Sequence, residues 1–155
     1  MVGDTISSEL RENAWPPPSE GELVELAENP LAKNYMVVLD GSGSMNEYEC
    51  ADGKRKIDVA KQAIPEFVAA VPTDANIGLV VFDNDGLSLR ISLEKDRDGF
   101  LQKIRSITAS GGTPLHSAVM LGRKELEHQA HRQQAYGEYY LVIVTDGEAN
   151  AGQDP

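Results

Sequence analysis

Three short, continuous apolar runs constrain the fold of this 155-residue chain more than any other feature. They are YMVVL at 35–39, NIGLVVF at 76–82 and YYLVIVT at 139–145. A strand with one wet face alternates apolar and polar residues. A run without alternation fits a strand covered on both faces. Amphipathic segments lie between the runs. Lys54–Val71 places Ile57, Ala60, Ile64, Phe67, Val68 and Val71 on one helical stripe. Pro65 falls inside that stripe and is expected to kink or divide the helix. Leu87–Leu93 alternates like an exposed edge strand. Asp98–Ile107 predicts a short helix, with Phe100, Leu101, Ile104 and Ile107 inward. Pro114–Gln129 predicts a longer one, carrying Leu115, Ala118, Val119, Leu121 and Leu126. Strands alternating with helices predict an α/β fold: an open, mostly parallel sheet with helices on both faces. In such sheets ligands bind beyond the carboxyl ends of the strands.

The segment ahead of the first run has a different character. Residues 1–33 read as an acidic arm or linker, and 34–155 as the folded domain. WPPPSEG is a stiff, extended connector. Glu20–Glu28 is expected to form a short helix on Leu23, Val24 and Leu26, ended by Asn29-Pro30. The formal net charge is -11, and residues 1–34 carry seven acidic and two basic side chains. Such a surface repels nucleic acid and anionic lipid, so neither is expected as a partner. Cys50 is the single cysteine, so no internal disulfide forms and a reducing compartment is the simpler expectation. No apolar run approaches the roughly 20 residues that cross a bilayer. MVGDTISSELRENAW lacks the basic start and apolar stretch of a signal peptide. A cytoplasmic location is expected.

The chemistry gathers where the strands end. DGSGSM (40–45) follows the first run, SGGTPL (110–115) precedes the longest helix, and Thr145-Asp146-Gly147 closes the last run. These loops present Asp40, Ser42, Ser44, Thr113 and Asp146 on one edge of the sheet. All are hard oxygen donors, suited to magnesium, manganese or calcium rather than zinc or copper. Only two of the five carry formal charge, so an ion held mainly by hydroxyls keeps much of its charge and attracts an outside carboxylate. Glycines 41, 43, 111 and 112 let the backbone turn sharply enough to bring the hydroxyls together. Each residue also has a plain structural role available. Thr113 before Pro114 has the form of a helix N-cap, Asp146-Gly147 that of a turn, and Ser42 and Ser44 that of loop hydroxyls. GSG lacks the spacing of a phosphate-binding turn, and D-G-S-G-S is not the G-x-S-x-G elbow of serine hydrolases. Cys50 reads as a residue of a polar loop, and His128 and His131 as surface residues. Glu47, Tyr48, Gly112 and His116 are candidates for a partner-binding rim, though a solvated helix histidine is the simpler reading of His116.

DGSGSM, GGTPL and TDG, in this order and each after the appropriate element, resemble the von Willebrand factor A domain, also seen as the integrin I domain. The likeness covers roughly Asn34 to the end of the chain, and three motifs in order are far more specific than D-x-S-x-S alone. It implies a Rossmann-like fold with a metal ion-dependent adhesion site. Carried over, Ser42 and Ser44 are direct ligands of Mg²⁺ (or Mn²⁺ or Ca²⁺). Thr113 acts directly or through water, and Asp40 and Asp146 act mostly through water or hydrogen bonds. A glutamate or aspartate of a partner protein completes the shell. The function implied is divalent-cation-dependent protein binding of the adhesion or scaffold type, without catalysis. One alternative is a regulatory subunit docking onto an ATPase or chelatase-type complex. Another is a metal-dependent hydrolase, for which only the two aspartates are on offer as bases. Family members continue past the TDG strand with further helices and two more parallel strands. The resemblance therefore implies a domain incomplete at its C-terminus, with YYLVIVT left open to association along the sheet edge.

Overall fold

The computed structural model describes residues 15–17, 25–48 and 53–146. Every apolar run is a strand. In chain order the elements are β1 (Lys33–Asp40), a 3-10 turn (Gly43–Asn46), α1 (Lys56–Ala70), β2 (Asn76–Asp83) and β3 (Gly86–Glu94), then α2 (Arg97–Arg105), α3 (Leu115–Arg132) and β4 (Glu138–Val144). The strands lie in the order β3-β2-β1-β4. β1 runs parallel to both β2 and β4, and β3 is an antiparallel edge on β2.

Side chains alternate across the sheet, and each face has its own core. Val37 and Leu39 of β1 join Ile77, Leu79 and Val81 of β2 against Ile57, Ile64 and Val68 of α1 and Phe100 and Ile104 of α2. Met36, Val38, Val80 and Phe82 point the other way, onto Leu115, Ala118 and Leu126 of α3. This double coverage is the reason the β1 and β2 runs carry no polar alternation, whereas β4, at the sheet edge, is not covered on both faces and leaves Tyr140 and Ile143 exposed. It also places the site. The chain leaves β1 through α1 to reach β2 on one side, and it returns through α3 to β4 on the other. The connections diverge at β1, so the crevice between them opens at its carboxyl end.

Two expectations change. α1 runs through Pro65 as one helix rather than being divided there. Pro65 lies on the exposed side, so the carbonyl that loses its partner, on Lys61 one turn earlier, is on the solvent side of the helix and not in the core. Residues 25–28 are not helical, and the rest of the helix expected at Glu20–Glu28 lies outside the described residues. Among the described residues, no helix is long and apolar enough to cross a membrane.

The amino ends of the strands are closed by buried amides. Asn34 and Gln133 have no exposed surface. The Asn34 Nδ2 donates to Gln133 Oε1 at 2.6 Å and to the carbonyls of Ala32 and Glu138, while its own Oδ1 accepts from Asn76 at 3.0 Å. Gln133 in turn donates to the carbonyls of Asn29 and Ala32. The backbone at 25–32 is drawn onto the end of α3, with Ala27 N donating to Arg132 O at 2.9 Å. Asn34→Ala strands several of these buried groups at once. It is expected to cost about 2–3 kcal/mol of stability, seen as a lower urea midpoint with an unchanged slope.

Candidate functional site

Asp40 is the last residue of β1 and has no exposed surface. Both carboxylate oxygens are engaged. Oδ1 accepts the N–H of Ser42 at 2.9 Å, which turns the loop back on the strand. Oδ2 accepts the hydroxyl of Thr145 at 2.6 Å. Thr145 lies one step past the Leu39–Val144 pair of the β1–β4 register, directly across from Asp40.

The loop after Asp40 is pinned on two further sides. Gly41 N donates to the carbonyl of Phe82 at the end of β2, at 2.8 Å. A Cβ at Gly41 would stand 2.7 Å from Asp83 Cβ and 2.9 Å from Phe82 O, so only glycine fits. Ser110 N donates to Gly41 O, and Gly43 N to Gly111 O at 2.9 Å. Gly111 has φ +87, a conformation that side chains disfavour. Asn46 adds a side-chain bond to the carbonyl of Ala109. The DGSGSM and SGGTPL loops are thus joined backbone to backbone.

This clamp brings the Ser42 and Ser44 hydroxyls within 3.1 Å of each other. Thr113, on the clamped second loop, is fully buried. Its expected role as the cap of α3 falls instead to Pro114, which has no side-chain hydrogen bond to give. The helix starts one residue later than the cap reading requires, and its first turn closes with Ala118 N on Pro114 O. Asp146 follows Thr145, with its side chain 7% exposed. Of the rim candidates, Glu47 and Tyr48 are exposed beside the 3-10 turn, and Tyr48 bridges to Arg55. Gly112 is exposed next to Thr113, and His116 is half-buried in the first turn of α3. Cys50 and Gly147 lie outside the described residues.

Three contributors carry no obvious sequence signal for their roles. Thr145 holds Asp40. Lys56, the first residue of α1, lies 3.4 Å from Asp146 Oδ2 and 3.5 Å from Glu47 Oε2. Its position gives a faint hint, since a lysine is unfavourable at a helix N-terminus. Asp83 is a third carboxylate at this edge, but Arg90 claims it, with Nη2 at 2.6 Å from Oδ1 and Nη1 at 3.3 Å from Oδ2.

The donor set fits a small hard cation. Among the described residues, no group of three or more His, Cys, Asp or Glu side chains is gathered to hold a metal. The candidate ligands here are chiefly hydroxyls. Neighbouring ligands of an octahedral Mg²⁺ stand about 2.9 Å apart, from bond lengths near 2.0–2.1 Å. The 3.1 Å between the serine hydroxyls is close to that spacing.

Comparison with known proteins agrees with this architecture. A curated relative, "Uncharacterized protein YwmD" of Bacillus subtilis (strain 168), is 32% identical over 143 residues, covering 83% of this chain. The chain spans 61% of that relative's length. The three N-terminal domains of the type V pili tip protein Mfa5 from Porphyromonas gingivalis superpose with a TM-score of 0.60 at 21% identity, over 77% of this chain and 20% of that one. The SpRpn10 VWA domain gives a TM-score of 0.53 at 9% identity, over 75% of this chain and 90% of that one. The sequence profile of the von Willebrand factor type A domain matches residues 35–148. The chain belongs to the von Willebrand factor type A domain family.

Proposed function

We propose that this domain is a divalent-cation-dependent protein-binding module. Ser42, Ser44 and Thr113 would hold Mg²⁺, or Mn²⁺ or Ca²⁺, with Asp40 and Asp146 acting through water or hydrogen bonds. The observation that carries the reading is the pair of serine hydroxyls converging beside a buried Asp40 whose two oxygens are already held. The bound ion would supply positive charge. A ligand set this poor in formal charge leaves much of it to be met from outside, and the natural complement is a glutamate or aspartate of a partner. The Ser42 and Ser44 hydroxyls pair with each other, and the carboxylates engage N–H, hydroxyl and ammonium groups. Such an arrangement suits holding a cation better than activating a nucleophile. The pilus-tip assignment of Mfa5 is in keeping with an adhesive role.

Two measurements test the site. At 100 times its dissociation constant, Mg²⁺ is expected to add about 2.7 kcal/mol of stability, read as a higher Tm than in EDTA. Ser44→Ala, at a half-exposed position, should melt as wild type does in EDTA and lose most of that rise. A rise fully kept by the variant would refute the assignment. Thr145→Val removes the donor to Asp40 at nearly constant volume. It is expected to cost about 1.5–3 kcal/mol, as for a hydrogen bond to a charged group, in a urea titration run in EDTA.

A further inference from the structure

Lys56 is out of place electrostatically. It opens α1, where backbone N–H groups leave partial positive charge and basic side chains are unfavourable. Arg55 precedes it at the cap, and Asp58 is the acid of the first turn. Arg55 already pairs with Asp58, at 3.3 Å. The position of Lys56 is nonetheless fixed, because its N–H donates to the carbonyl of Glu47 at 2.9 Å. From there its ammonium reaches both Asp146 and Glu47. The lysine and aspartate side chains are 24% and 7% exposed. Charges this far out of water interact more strongly than an open surface pair.

We propose, on the reading of this edge as a divalent-cation site, that Lys56 is the site's built-in monovalent cation. In the ion-free chain it balances the charge of Asp146 and links it to the acidic rim at Glu47. When a divalent ion binds, the same ammonium opposes it, both by engaging Asp146 and by direct repulsion. The coupling is reciprocal: the difference between what Lys56 contributes to the ion-free and to the ion-bound chain is what it takes from the affinity for the ion. Lys56 therefore sets the ion concentration at which the site fills, and it ties that threshold to the residues a partner would touch.

The test uses the full chain with Lys56→Met, which keeps the unbranched stem beside Met45 and Val59 in the cleft they share with Asp146. Lys56→Arg keeps the charge. Mg²⁺ is titrated calorimetrically, and melts are recorded in EDTA and in saturating Mg²⁺. Lys56→Met is expected to bind Mg²⁺ about three- to tenfold more tightly than wild type. It should melt lower than wild type in EDTA and gain more from Mg²⁺. Lys56→Arg should stay within about twofold of wild type, since it retains the opposing charge. An unchanged or weaker Mg²⁺ affinity in Lys56→Met would overturn the proposal. So would a Tm deficit of the same size in EDTA and Mg²⁺, the pattern of a merely structural lysine. If Lys56→Met does not fold, Lys56→Gln is read by the same criteria. If the edge holds no cation, wild type and every variant give neither Mg²⁺ heat nor a Mg²⁺-dependent melt, an outcome that overturns both proposals and is distinct from failure of the lysine alone.

Discussion

The site depends on one buried charge. Asp40 sits without exposed surface at the point where the connections of the sheet diverge. A carboxylate there is costly unless strong hydrogen bonds replace its water. One bond comes from its own loop, through Ser42 N–H, and the other from Thr145 across the sheet. The first requires the loop to be turned, and the second requires β4 to be docked in register. Sheet assembly and site assembly are therefore coupled through a single side chain.

The remaining contacts fix the loop in place. Phe82 O, Gly41 O and Gly111 O each accept a backbone N–H across the strand ends, so the DGSGSM loop is held by β2 on one side and by the loop before α3 on the other. On this held backbone the Ser42 and Ser44 hydroxyls lie 3.1 Å apart. A ligand entering such a site does not have to order the loop as it binds, which leaves more of the interaction free energy for affinity.

The sequence reveals what is local and periodic. Burial on both faces explains the missing polar alternation in β1 and β2, whereas β4 is as apolar in sequence but lies at the sheet edge with Tyr140 and Ile143 exposed. The stripe Ile57, Ala60, Ile64 and Val68 lies on the core side of α1 as its spacing requires. The positions of Asp40 at the end of β1, Ser42 and Ser44 just after it and Asp146 just after β4 follow from the same pattern, while Thr113 lies in the loop between α2 and α3. Long-range pairings are hidden. That Thr145 faces Asp40 depends on the β1–β4 register, and that Lys56 reaches Asp146 depends on how α1 crosses the sheet. The amide cluster of Asn34, Asn76 and Gln133 joins residues 99 positions apart in sequence. Pro65 does not divide α1, because its effect depends on which side of the helix it occupies. Thr113 misleads because a one-residue shift in the helix start hands the cap to Pro114.

Charge distribution bears on what this edge could bind. The chain as a whole carries a net charge of -11, yet Lys54, Arg55 and Lys56 stand together at the positively polarised end of α1, beside the site. Arg90 adds a further cation where β2 and β3 meet, and it neutralises Asp83. At the candidate site the basic groups are thus paired with carboxylates, Lys56 with Asp146 and Glu47 and Arg90 with Asp83. On the proposed reading, a bound divalent ion would add positive charge that these paired groups do not cancel, which favours a protruding carboxylate. On that reading the complement is a single acidic side chain that reaches past these pairs to the ion.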